Sequence, residues 1–187
     1  MRQGDGRVTA AASSAWVSAL AEQHLDAAYN LGRWLLGNEQ DAADAVHDAF
    51  VRATRSAHTY AGGNARAWWL AIVRNCCFAA LKARRREAPG IAVEVVVDAN
   101  VDTAANEVES SAEVEERSRA IERQLRALPV EFREALVLRE IEDLSYREIA
   151  DVLDGPIGTV MSRLSRGRAL LQKALASRTL EGDLHGL

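Results

Sequence analysis

Apolar residues recur at helical spacing through most of the chain. Trp16, Leu20, Leu25, Ala28, Leu31 and Leu35 predict a helix over about 14–36, which Gly37 ends. A second helix, about 39–57, starts with Glu39, Asp41, Asp44 and Asp48, acids that suit a positive helix N-terminus, and shows Ala42, Val46, Phe50 and Ala53 on one side. After the loop HTYAGG, Asn64 is placed to cap a third helix over about 65–86. Its buried face runs through Trp69, Ile72, Val73, Cys76 and Ala80, and its end is basic, with Lys82, Arg84, Arg85 and Arg86. For Trp69 the core is expected; Trp68 is divided between core and ligand.

The pattern then lapses over about 87–112, where IAVEVVVDAN has no helical period. Four more helical segments follow, at about 113–127, 130–141, 146–153 and 156–176, with Pro129 between the first two. No strand pattern competes. The expected fold class is all-α, with two small helical domains, an N-terminal bundle and a C-terminal helix-turn-helix domain, joined by a flexible acidic linker. The expected division is 14–86, linker 87–112, 113–177 and a tail 178–187.

The stretch LSYREIADVLDGPIGTV has the mechanics of a helix-turn-helix. Ser145 and Glu148 form an S-x-x-E capping box, with Leu144 and Ile149 at the staple positions. Ala150 is small where two helices cross, and Val160 packs back toward it. Asp154-Gly155 makes the turn, and Pro156 suits the start of the next helix. On a wheel of about 100° per residue, Ile157, Val160, Leu164 and Leu171 share a core-facing sector. Gly158, Thr159, Ser162, Arg163 and Arg166 fall on the other side. Small residues permit close approach to a major groove, and arginines reach guanine edges or phosphates. An ordinary basic helical hairpin is the plainer alternative.

Charge changes this picture. The formal net charge is −4. Yet Glu87 to Glu116 holds nine acids and no Lys or Arg, so the rest holds 27 − 9 = 18 acids against 23 bases. The acidity of the chain is largely that of its middle. This stretch reads as a tether, extended when free, or as a solvated acidic loop without a role.

Other chemistries find little support. Cys76 and Cys77 are adjacent, which rules out a disulfide framework between them and leaves two buried thiols as the expectation. The four histidines lack ligand spacing, so no metal or cofactor is expected. No P-loop, catalytic carboxylate pair or Ser–His arrangement appears, so no enzyme is expected. No apolar run nears the roughly 20 residues that cross a bilayer, and MRQGDGRVTAAASS lacks a signal-type core; the expected compartment is the cytoplasm, without membrane insertion.

Two segments together carry a family resemblance. DAADAVHDAFVRATRS, followed by YAGGNARAWWLAIVRNCCFAALKARRR, resembles the second region of the extracytoplasmic-function (ECF) sigma factors. LPVEFREALVLREIEDLSYREIADVLDGPIGTVMSRLSRGRALL resembles their fourth region. The resemblance covers about 20–86 and 115–175.

The resemblance implies a promoter-specificity subunit of bacterial RNA polymerase, which supplies the catalysis. It implies Asp41, Asp44, Asp48 and Phe50 as contacts to the polymerase β′ clamp helices, and the β flap as a second docking point. It implies Tyr60, Asn64, Trp68 and Asn75 around a base flipped from the −10 element, with Arg66, Arg74, Lys82, Arg84 and Arg85 near phosphates. Gly158, Thr159, Ser162, Arg163 and Arg166 are implied at the −35 element. An anti-sigma factor, often membrane-bound in this family, is an implied partner. Within that frame the acidic linker is a candidate mimic of RNA. Two positions depart from the family pattern: Asp154 stands where relatives place Gly, and Met161 where they often carry Lys or Arg. A stand-alone helix-turn-helix regulator is the alternative, but it has no dimerisation helix here and leaves AGGNARAW unexplained.

Overall fold

A computed structural model describes residues 10–87 and 111–184, with side chains placed for most of them. The N-terminal half is built from α1 (Ala10–Gln23), α2 (Leu25–Leu36), α3 (Glu39–Ser56) and α4 (Ala65–Glu87). The C-terminal half has α5 (Ser111–Ala127), α6 (Val130–Leu136), a π turn (Val137–Ile141), α7 (Tyr146–Leu153) and α8 (Ile157–Leu184). No strand occurs among the described residues. Of the acidic linker expected over 87–112, Glu87 ends α4 and residues 111–112 start α5, while 88–110, with the expected RNA mimicry, lie outside the described residues.

The first expected helix is two. His24 leaves helical geometry at φ −121° and ψ 26°, although the hydrogen bonds His24 N–H to Leu20 O and Ala28 N–H to His24 O carry on across it. The kink turns the buried stripe from Val17, Leu20 and Ala21 onto Ala27, Ala28, Leu31 and Leu35. Leu25, expected in the core, is 50% exposed as a result. Where α2 crosses α3, Gly32 lets the backbones meet: a Cβ there would stand 3.2 Å from Ala42 Cα. Asn38 caps α3 by accepting from Asp41 N–H, and Asn64 Oδ1 caps α4 by accepting from Ala67 N–H at 3.0 Å.

In the second half the capping box is complete. Ser145 Oγ accepts from Glu148 N–H while Glu148 Oε2 accepts from Ser145 N–H at 2.7 Å. Asp154 takes the left-handed conformation at φ 50° that glycine would occupy with less strain. Gly155 N–H then donates to Ala150 O and Asp154 N–H to Asp151 O, the paired bonds of a Schellman closure. The turn therefore survives the departure at Asp154. Ala150, Val160 and Leu164 are buried as the pattern implies, but Ile157 is 41% exposed and stands outside the core. It sits in the first turn of α8, beyond the reach of α7. The helix also runs further than expected, through Leu184.

The two halves pack against each other: α4 lies on α7, and α2 on α6. The buried residues of both halves form one continuous cluster, from Val17 to Leu164.

Candidate nucleic-acid interface

α8 presents an outward strip. Gly158, Ser162, Ser165 and Ala169 lie within about 60° of one another on the helix and all are exposed. A Cβ built at Gly158 meets nothing within 4 Å. Met161 and Arg166 bracket the strip, one on each side. Arg166 is exposed and engages no partner among the described residues. Ser162 Oγ donates to Thr159 O at 2.9 Å.

Arg163 and Thr159 stand elsewhere. Both are half-buried, on the flank of α8 rather than its outward strip. Arg163 Nη1 donates to Glu134 Oε1 at 2.7 Å. Sequence reasoning put Arg163 on the open face, yet on the wheel it lies only about 60° from Val160 and about 100° from Leu164. Half the circumference of α8 is covered by α6 and α7, and Arg163 meets the edge of that cover.

The basic residues of α4 are gripped by the other half. Arg74 Nε donates to Glu134 Oε2 at 2.7 Å, and its Nη2 to Oε1 at 3.2 Å. Its guanidinium also lies over the Phe78 ring, 4.5 Å from the centroid. Arg66 Nη2 donates to Glu142 Oε2 at 3.1 Å and to Glu142 O at 3.0 Å. Asn64 Nδ2 donates to Glu148 Oε1 at 2.6 Å. The π turn explains the second of these contacts. Its wide closure, Glu142 N–H to Val137 O, swings Glu142 inward, where Asn30 Nδ2 reaches it as well.

Glu134 is 1% exposed, and Glu142 is 7% exposed. A buried carboxylate needs counter-charge, and for Glu134 this comes from one arginine of each half. Glu148 is more open, and its carboxyl is held below its ordinary value by hydrogen bonds from Ser145, side chain first, then backbone. None of these three glutamates was singled out as a partner of α4 from sequence; a pairing across 60 or more residues leaves no period to read.

The remaining positions form two surfaces. Tyr60 stacks on Trp16, centroids 4.9 Å apart, and Trp68 closes the cluster at 5.6 Å from each. Tyr60 OH donates to Gly63 O at 2.6 Å, across a loop in which Gly62 and Gly63 sit at φ 94° and 97°. These values are why the loop reads GG. Trp16 belongs to this cluster and was read from sequence only as core. Asn75, Lys82 and Arg85 are exposed along α4. Arg84 is half-buried and bonds Leu36 O at 3.2 Å and the Asp41 carboxylate.

Asp41 is therefore engaged inside the N-terminal half, whereas Asp44 and Asp48 are exposed on α3. Beside them Phe50 lines an open pocket of about 550 Å³ with Leu25, Tyr29, Val46, His47 and Trp69. Trp69 Nε1 is buried and has no acceptor among the described residues. Cys76 and Cys77 are buried and free, and burial pushes the Cys77 thiol up to about 12.

A helix-turn-helix with a small, cation-flanked outward strip, behind a helical bundle with basic and aromatic surfaces, defines a DNA-binding class of protein. The comparisons place it within that class. Residues 20–87 match the family described as Sigma-70 region 2, and residues 118–171 match Sigma-70, region 4. The ECF RNA polymerase sigma factor SigE of Mycolicibacterium smegmatis is 35% identical over 91% of this chain, which spans 65% of that protein's length. The RNA polymerase sigma-H factor of Pseudomonas aeruginosa is 35% identical over 73% of this chain and 74% of its own. The ECF sigma-E factor of Escherichia coli is 34% identical over 68% and 70%. In fold, the chain is similar to the sigma factor RpoE in its complex with the anti-sigma factor NepR from Bartonella quintana, with a TM-score of 0.66, 24% identity and coverage of 85% and 96%. The chain belongs to the ECF sigma factors of RNA polymerase, which direct promoter-specific transcription.

Proposed function

We propose that this chain binds core RNA polymerase and directs it to promoters with a −35 and a −10 element, the polymerase supplying the catalysis. The outward strip of α8, with Gly158 and Ser162 for close approach and Arg166 for guanine or phosphate, takes the −35 duplex. Arg163 and Thr159 hold the angle of α8 on α6 rather than reading bases. The Tyr60–Trp68–Trp16 cluster, with Asn64 and Asn75, receives an extruded −10 base, and Arg66, Arg74, Lys82, Arg84 and Arg85 neutralise the strand beside it. Asp44, Asp48 and the pocket beside Phe50 dock on the polymerase clamp helices, with Asp41 positioning the start of α3; the C-terminal half meets the flap.

The carrying observation is the trio of glutamates, Glu134, Glu142 and Glu148, that occupies Arg74, Arg66 and Asn64. Carboxylates here stand where phosphates of a melted strand would. Asn64, Arg66 and Arg74 of the −10 surface are thereby covered in the free chain while the −35 strip is open, so core polymerase must part the halves before melting begins. The protein works in the cytoplasm. An anti-sigma factor, like those bound to its structural neighbours, would act by holding the halves together.

A gel shift on promoter DNA, with and without core polymerase, tests the whole reading. Specific binding that requires core supports it. Tight specific binding by the chain alone favours a stand-alone regulator instead. Run-off transcription with reconstituted holoenzyme then reads promoter choice.

A further inference from the structure

Met161 is 54% exposed, more than any other large apolar residue described. It is not a stray core residue. Val160 and Leu164 already fill the buried side of α8, at 0% and 1% exposure, and Met161 is turned about 60° from Leu164 and about 100° from Val160, onto the edge of the outward strip. Its neighbours on the strip, Gly158, Ser162 and Ser165, are small, so nothing shields the thioether from a surface laid against α8. Arg166 brackets the same strip from the other side.

We infer that Met161 is a specificity-determining residue that reads the C5-methyl group of a thymine in the −35 major groove. This rests on the reading of α8 as the −35 helix. In that groove each base pair shows a distinct edge, and the only apolar feature is the thymine methyl. An unbranched thioether adapts its shape to such a group without needing a hydrogen-bond partner. A strip with a guanidinium on one edge and a thioether on the other is thus built to tell guanine from thymine. A basic residue at 161 would instead favour guanine.

The test uses reconstituted holoenzyme and a promoter library randomised across the −35 element. The wild-type protein is expected to select thymine at one position. Replacing that thymine by uracil removes only the methyl, and should weaken binding about fourfold, the worth of one buried methylene-sized group. Met161→Ala should bind the thymine and uracil promoters equally. Met161→Lys should shift the selected base toward guanine. Because the side chain is exposed, these variants are expected to fold as the wild type does, which circular dichroism and core binding check. If scrambling the −35 element weakens binding but uracil matches thymine at every position, the Met161 assignment is overturned while the −35 reading stands. If scrambling changes nothing, the −35 reading itself falls, and the Met161 assignment with it.

Discussion

Arg74 of the N-terminal half and Arg163 of α8 meet at one carboxylate, that of Glu134. The carboxylate is 1% exposed, and both guanidinium groups supply its counter-charge. Glu134→Gln keeps the shape and removes the charge, leaving two half-buried cations without their partner. The expected loss of stability is about 3 kcal/mol, read from urea unfolding. A variant as stable as wild type would show the cluster to be solvated rather than structural.

Covering by the three glutamates has a binding consequence. Glu142→Ala removes the charged acceptor of Arg66 and leaves it only the Glu142 carbonyl, and Glu134→Gln loosens Arg74, so each should raise the affinity of the free chain for a single-stranded −10 oligonucleotide. The apparent dissociation constant falls as the open fraction rises. Fluorescence anisotropy without core polymerase measures this. Equal affinities for wild type and both variants would refute the occluded −10 surface.

Asn75 is exposed on α4 and makes no bond to the second half among the described residues. Asn75→Ala should leave folding and core binding unchanged but reduce promoter opening. Permanganate footprinting of the holoenzyme reads it: full reactivity of −10 thymines in the variant would remove Asn75 from the melting surface.

The capping box makes a pH prediction. The Glu148 carboxyl titrates below its ordinary value of 4.5 in the folded chain. Its stabilising share is therefore complete above that value and lost as pH falls through the lowered one. Glu148→Gln should flatten this part of the acid side of the stability profile. Urea midpoints across this range compare the two proteins. Ser145→Ala, which removes the hydroxyl from the same box, should cost about 1 kcal/mol at neutral pH.

Gly32 and Gly167 both sit in helices but should respond differently to alanine. At Gly32 the added Cβ meets the Ca and Cβ of Ala42 at 3.2 Å, and that backbone cannot swing away. At Gly167 it meets Leu136 Cδ1 at 3.1 Å, which can rotate, and Leu136 Cγ and Phe132 Cβ at 3.3 Å, which need give by only a few tenths of an ångström. Alanine gains up to about 1 kcal/mol of helix propensity in each place. Gly167→Ala should come out near neutral, whereas Gly32→Ala should lower the melting temperature, its overpacking costing about 1–3 kcal/mol. Equal effects by calorimetry would show that α2 and α3 separate easily.

Local chemistry made much of the fold legible. Asn64, Ser145 and Glu148 cap their helices through bonds that span only three residues, so a short window of sequence contains the whole device. The kink at His24 was not legible, because neither Gly nor Pro marks it. Ile157 misled because the wheel records direction and not how far α7 extends. The Arg74–Glu134 and Arg66–Glu142 pairs escaped for a different reason. Charged residues at a buried interface look in sequence like charged residues on any surface; only the fold distinguishes them.

The Asn64–Arg74 stretch that opens α4 and the α8 strip differ in availability, and in the proposed reading that difference sets an order in time. The strip proposed for duplex DNA faces water from the start, while Asn64, Arg66 and Arg74 of the surface proposed for a separated strand are covered by glutamates. Stray single strands in the cell thus meet a chain whose affinity for them is reduced by the rarity of its open form. On the proposed reading, double-stranded promoter is engaged first, and strand capture waits for the machine that opens both the protein and the DNA.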